Sequence, residues 1–302
     1  MRKGLLLFIS AMVLFSCKKE PTVFSDNTIP PYSEIPTVVV QNYVNRMFID
    51  LIGREPLDTE MESEVASLRA AGLAKSARSV LAQTLMTNTA FIEGDISYNH
   101  AYHNKIYEDL KARFMDGASD ANIEEAHGIA LFSAQVDSIN GNFAGYQANK
   151  TIAQKLQLVL DSKEDYRSGQ IDIREVCRRM IDNGIYDEIN MNAFNFVNAV
   201  FDDLFYRFPT EPEFEAAYQA VENNQPAVLM GQVVQDKGQL VSMLVNTIEF
   251  DEGMVRWVFI SLLAREPSTQ EVFQLQPPFG ASSDIKAIQE QVVTTDEYAG
   301  FD

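Results

Sequence analysis

From Val38 onward, apolar side chains recur at spacings of three and four, the period of one helical face, and alternating β-type runs are scarce. Ala, Leu, Glu and Gln fill the intervening positions, as suits helices that bury one stripe. The pattern predicts an all-α fold of ten to thirteen helices. Its clearest breaks fall at Gly141 to Gly145 and at Pro277-Pro278-Phe279-Gly280. We divide this body into a first helical module (38–140), a central helical segment (141–190) and a second and third module (191–302). Upstream the pattern changes. Arg2 and Lys3 precede an apolar run from Gly4 to Phe15, too short for a bilayer, which takes about 20 apolar residues. This is the layout of an export signal over residues 1–16. Lys18 to Thr37 then holds four of the eleven prolines, so residues 17–37 read as an extended tether.

The helical pattern contains an internal repeat. Phe-x-x-Leu-x-x-Arg-x-Pro-x-x-x-Glu occurs three times without a gap, as Phe48/Leu51/Arg54/Pro56/Glu60, Phe201/Leu204/Arg207/Pro209/Glu213 and Phe259/Leu262/Arg265/Pro267/Glu271. Each copy is followed by aliphatic residues ten and six positions before an aromatic: Leu81/Leu85/Phe91, Leu240/Leu244/Phe250 and Ile288/Val292/Tyr298. Phe and Leu three apart share a helix face, and Arg a turn later is expected in the last turn, where a cation favours the helix C-terminus. Pro should end that helix. Thr210-x-x-Glu213 and Ser268-x-x-Glu271 then read as capping boxes that start the next one. The first copy has Leu57 at that place, so its cap is expected to slide to Asp58 or Thr59. Each Glu is also positioned to pair with its Arg across the corner, and the later aromatic to close a third helix onto the first.

Two resemblances follow from quoted residues. Phe48-Ile-Asp-Leu-Ile-Gly-Arg-Glu-Pro56 and Phe259-Ile-Ser-Leu-Leu-Ala-Arg-Glu-Pro267 resemble the helical modules of phycobilisome linkers and of bacterial envelope domains with a Leu-x-x-Arg-x-Pro corner. That resemblance covers about half the chain and implies assembly, with no pigment site carried over. Leu14-Phe15-Ser16-Cys17 resembles the lipobox of bacterial lipoprotein precursors, which implies cleavage before Cys17 and a covalent lipid on it. Lys18 stands where an enterobacterial inner-membrane retention signal has Asp, which implies the outer membrane. Lys18-Lys19-Glu20 resembles the charged tracts that export some lipoproteins of the Bacteroidota to the surface, and the face stays open.

Charge and chemistry narrow the picture. The net charge is −19, and no clustered basic face offers itself to phosphate, so nucleic acid is not an expected partner. With Cys17 lipidated, Cys177 has no thiol partner; it lies on the helical face 173, 176, 177, 180, 181 and reads as a buried structural thiol. The aromatic run Phe194, Phe196, Phe201, Phe205, Tyr206 and Phe208 reads as core. His100 and His103 are the one metal-like pair, needing further ligands such as Asp95, Glu108, Glu124 or His127. His-Glu-x-x-His, a pair of Glu-x-x-His motifs, Gly-x-Ser-x-Gly, P-loop and dinucleotide motifs are missing. The expectation is a non-catalytic outer-membrane lipoprotein, held to the membrane by its lipid and serving other envelope proteins as scaffold or accessory subunit, with no cofactor. The alternatives are a metal-binding protein or enzyme built on His100 and His103, and a surface lipoprotein capturing nutrient ligands.

Overall fold

The computed structural model describes residues 31–301. The export segment, Cys17 and most of the tether lie outside them. Fifteen α-helices follow a 3-10 turn at Tyr32–Glu34: α1 Thr37–Ile52, α2 Asp58–Ala70, α3 Lys75–Thr87, α4 Tyr98–Phe114, α5 Asp120–Ile139, α6 Phe143–Arg167, α7 Ile173–Ile181, α8 Gly184–Asn190, α9 Ala193–Phe205, α10 Glu211–Asn223, α11 Lys237–Leu244, α12 Ile248–Leu263, α13 Thr269–Ser282, α14 Ile285–Val293 and α15 Asp296–Ala299. The fold is all-α, with one small hairpin. Most helices begin at a Ser, Thr, Asp or Asn whose side chain accepts an N–H of the first turn, among them Ser97, Ser119, Asp172, Asn192 and Thr247. None of the described helices is long and apolar enough to cross a membrane.

The repeats are helix triads that overlap. In the first, α1, α2 and α3 lead into α4. In the second, α9, α10 and α11 lead into α12, which also opens the third, followed by α13, α14 and α15. One helix thus closes one unit and starts the next. The third unit folds back on the first: the Tyr43 hydroxyl donates to the Val293 carbonyl (3.0 Å), Arg46 donates to the carbonyls of Tyr298 (3.0 Å) and Leu262, and the Tyr298 hydroxyl donates to Asp50 (2.7 Å). One continuous apolar core runs from Ile35 through the aromatic and aliphatic faces of all three units to Phe301.

Several sequence expectations need correction. The helix count exceeds the ten to thirteen expected because short segments such as α8 and α15 carry caps of their own. The tether ends before residue 37: Tyr32 packs on the core and donates to Asp296, and Ile35 is buried. Pro277 and Pro278 lie inside α13, which runs on to a left-handed Ser283 (φ 54°). Proline already has a helical φ, and the turn loses the backbone bonds to Phe273 and Gln274 but buries Phe279 in the core. Residues 227–234 form an antiparallel hairpin, Ala227–Leu229 with Gln232–Val234, through a turn at Met230 (φ 48°) and Gly231 (φ 78°). Both central residues have the positive φ that a two-residue hairpin requires. Phe196, Phe201 and Phe205 are core, but Phe194 and Phe208 of the same run are exposed.

α12 crosses α9 at backbone contact. A Cβ added at Gly253 would lie 1.9 Å from the Leu204 carbonyl oxygen, which has no room to move because it belongs to the backbone of the opposite helix. Gly253→Ala is expected to push the two helices apart and destabilise the chain by about 3 kcal/mol, the upper end of overpacking costs. Urea unfolding of that variant beside Gly128→Ala, where a Cβ meets open space, is the check.

Candidate functional site

The three corners share one construction, and it differs from expectation at the arginine and the proline. Each first helix stops at a left-handed residue, Gly53 (φ 78°), Tyr206 (φ 58°) or Ala264 (φ 53°). Only Gly53 adopts that conformation at no steric cost. The arginine is the next residue, outside the helix. Pro56, Pro209 and Pro267 come three residues after the left-handed position, in the irregular stretch between helices. They therefore do not end the first helix, which has already stopped. Each instead bars the helical region to the residue before it, so the chain stays extended up to the next cap. Leu51, Leu204 and Leu262 share the buried face with Phe48, Phe201 and Phe259, as the spacing requires. All six are core side chains, so within the motif only the arginine and glutamate carry polar chemistry.

The guanidinium meets the repeated glutamate in two parallel hydrogen bonds: 2.7 and 2.8 Å for Arg54 with Glu60, 2.8 and 2.9 Å for Arg207 with Glu213, 3.0 and 2.7 Å for Arg265 with Glu271. The same glutamates accept the N–H at the start of the next helix, from Leu57 (2.7 Å), Thr210 (2.8 Å) and Ser268 (2.6 Å). The first cap does not slide: Leu57 lacks a side-chain acceptor, yet α2 starts there because the Glu60 half of the box suffices.

A second acid, outside the repeated motif, completes each clamp. Glu249 and Glu297, at the starts of α12 and α15, each take Nε and Nη2 of Arg207 and Arg265. Arg54 instead reaches Asp95, at 2.6 Å. Each arginine also donates to the carbonyl of the residue after it and lies over the repeated Phe, 5.6, 5.4 and 5.1 Å from ring to guanidinium carbon. In the second and third corners all five guanidinium N–H groups are occupied, leaving no donor for a substrate. The hydrogen bonds from Arg207 and Arg265 hold the Glu213 and Glu271 carboxyls down at about 2.

Phe250 and Tyr298 close their units as expected, both buried, but Phe91 is 81% exposed. Ala90 stands where Glu249 and Glu297 precede the other two aromatics. Without that acid the chain does not turn into a helix at Asn88. It continues through a tight bridge between Ile92 and Asp95, with Gly94 at φ 89°, and starts α4 at Tyr98. Tyr98 is the closing aromatic, edge-on to Phe48 at 5.8 Å and donating to Glu60 at 2.6 Å.

The histidines do not converge on a ligand set. His103 is buried, its Nδ1 is 2.7 Å from the Asn99 carbonyl, and it packs edge-on to Tyr102 and Tyr166. Burial lowers it to about 4, so it is neutral at physiological pH. His100 contacts Arg167, Asp95 belongs to the first clamp, and Glu108 pairs with Lys111. Glu124 and His127 lie on α5. No group of three or more potential metal ligands occurs among the described residues. The five residues of the Cys177 face are all buried, and burial pushes the Cys177 thiol up to about 12. A cleft of about 400 Å³ between α1, α4, α12 and α14 is lined by Asp50, Lys105, Asp109, Arg113, Trp257 and Gln289. Its charges belong to the framework: Lys105 pairs with Asp109, Asp50 accepts from Tyr298, and Arg113 donates to the Asp203 carbonyl and the Tyr206 hydroxyl.

Apolar side chains are exposed along α5. α5 and α6 form a hairpin turning at Gly141 (φ 72°), and α6 is the main neighbour of α5. On α5 only Ile123, Ala130 and Ala134 are buried. Ile129, Phe132, Val136 and Ile139 stand exposed on the side away from Ala130 and Ala134, with Phe143 exposed at the tip. No residue from Gly128 to Val136 is charged. No protein-family model, curated protein or solved structure matches this chain.

Two measurements test the clamps. A double-mutant cycle on Arg54→Leu and Glu60→Gln is expected to give a coupling of about 1–2 kcal/mol, above that of an ordinary surface pair because the bonds are bidentate and half-buried; near-zero coupling would show that they do not act together. For acid, the depressed carboxyls stabilise the folded chain fully above their ordinary value near 4.5 and lose that stabilisation as pH falls toward about 2. Glu213→Gln with Glu271→Gln should therefore be less stable than the parent at pH 6, with the gap in urea midpoint narrowing steadily below about pH 4.5 and closing only below about pH 2.

Proposed function

We propose that this chain is an outer-membrane lipoprotein, lipidated on Cys17, that acts as a non-catalytic scaffold or accessory subunit among other cell-envelope proteins. The observation that carries the interaction role is the uncovered apolar face of α5, set on a hairpin inserted between the first and second repeat units. Contiguous apolar surface of this kind marks interaction sites, whereas single exposed apolar residues need no explanation. The corners support the same reading, because their arginines and glutamates are committed to building helix junctions. For the address, the support is the lipobox-like Leu14-Phe15-Ser16-Cys17 and the proline-bearing segment after it. Lipid on that cysteine would hold the hairpin beside the membrane, and attachment by more than one acyl chain is stable.

A photoreactive residue at position 132, introduced into the full chain in intact cells, is expected to give discrete adducts of higher mass. The same probe at Glu215, on the exposed surface of α10, is expected to give few. Recovery of only the free chain from position 132 would remove the proposal.

A further inference from the structure

We infer that the outer face of α5 pairs two copies of this chain, antiparallel, about a two-fold axis. The inference rests on reading that face as a docking surface and goes further by naming its occupant. Ile129, Phe132, Val136 and Ile139 are spaced three, four, three, the a/d spacing of a helix–helix seam. That spacing reads the same in both directions about residue 134. Antiparallel pairing of two α5 helices therefore sets Ile129 against Ile139 of the second copy and Phe132 against its Val136. A two-fold interface must be self-complementary in this way, and all four side chains meet an apolar counterpart.

Charge leaves this face open to a second copy. Two chains of net charge −19 repel one another over most of their surfaces, but Gly128 to Val136 is uncharged. The next acid, Asp137, accepts from the side-chain amides of Asn142 and Asn149 (2.8 Å each) within its own hairpin. The seam is thus the stretch of α5 where like charge opposes association least. Its size is adequate. Ile129, Phe132 and Ile139 are 60%, 68% and 78% exposed; with Val136 and Phe143 the apolar area is on the order of 600 Å², the low end of the roughly 600–1,000 Å² per partner of standard interfaces. The buried positions Ala130 and Ala134 hold α6 behind the seam, so each copy presents a preformed two-helix wall and pairing requires little reordering.

Sedimentation equilibrium of the full chain, in a nonionic detergent matched to solvent density, should give twice the chain mass. Phe132→Glu with Ile139→Glu should weaken the dimer by at least a hundredfold while leaving the helical circular dichroism unchanged, since both side chains are exposed in the single chain. For the register, a Phe132→Cys copy and a Val136→Cys copy produced together in cells should form a 132–136 disulfide between chains. Two Phe132→Cys copies should crosslink poorly. A monomer at about 100 µM, a dimer indifferent to the glutamate substitutions, or 132–132 disulfides in excess would overturn the pairing. So would flotation of the Cys17→Ser chain on phosphatidylcholine vesicles that is lost with Phe132→Glu, which would make a bilayer the occupant. A monomer that still gives in-cell adducts to another protein from position 132 would overturn the pairing alone. Adducts from position 132 that contain only this chain would support the pairing and leave the scaffold role to the other faces of the dimer.

Discussion

The fold depends on a guanidinium held at the corner between two helices. One glutamate does two things at once: it binds the arginine that follows one helix and accepts the N–H that begins the next. A second acid brings in another segment, from α12 and α15 in two corners and from the Asp95 turn in the first. Exposed ion pairs contribute little stability by themselves. These differ in being bidentate, planar and seated on a phenylalanine ring, so their value is directional. They fix the angle at which the chain leaves a helix, and the apolar faces then meet at one place.

Overlap of the units follows from where the second acid sits. Glu249 and Phe250 lie at the start of α12, closing the second unit, while Phe259 on the same helix and Arg265 just beyond it open the third. The helix is long enough to serve both ends, and Gly253 lets it cross α9 at backbone contact. The third unit cannot repeat this, because α15 is a four-residue turn. It ends instead on the first unit, through Tyr298, Asp296 and the residues of α1. Asp296 pairs with the buried Arg78 at 2.7 Å, and the Arg78 guanidinium lies over Phe301 and Tyr32. The Tyr32 to Ile35 segment belongs to the globule because this closure uses it.

The triplicated corner was legible because most of its residues have a local reason: Phe and Leu by helix period, Glu by capping, Arg by its partner. Proline does not end the first helix, since a left-handed residue does so in each copy and Tyr206 or Ala264 gives no sign of that conformation. The all-α class followed from the same periodicity. What escaped reading depended on contacts from elsewhere in the chain. Spacing alone nominated Phe91, yet the acid before the aromatic matters too, and Ala90 lacks it. Thr-x-Glu-aromatic at 247–250 and 295–298 was the signal that distinguishes the copies. Pro277-Pro278 looks like a break until Phe279 has a core to enter. Met230 is not a residue that announces a positive φ, so the hairpin was invisible. The apolar positions of α5 were visible as a helical stripe, but periodicity cannot say whether another element covers that stripe.

That last distinction decides how the exposed residues should be weighed. Phe91, Phe208 and Phe273 are as exposed as Phe132, yet they lie on different elements and none belongs to a run at seam spacing. α5 is unusual in that its buried side consists of Ala130 and Ala134 with Ile123, while its larger apolar side chains point outward. Burying the large side chains and exposing the alanines would remove more apolar area from water, at roughly 25 cal/mol per Å². A helix whose role was only to cover α6 would gain by that reversal. The small residues let α5 sit close against α6, and the larger ones stay exposed. The inside-out assignment of side chains on α5, set in an uncharged stretch of an acidic protein, is therefore the strongest physical ground for treating this hairpin as the working part of the molecule.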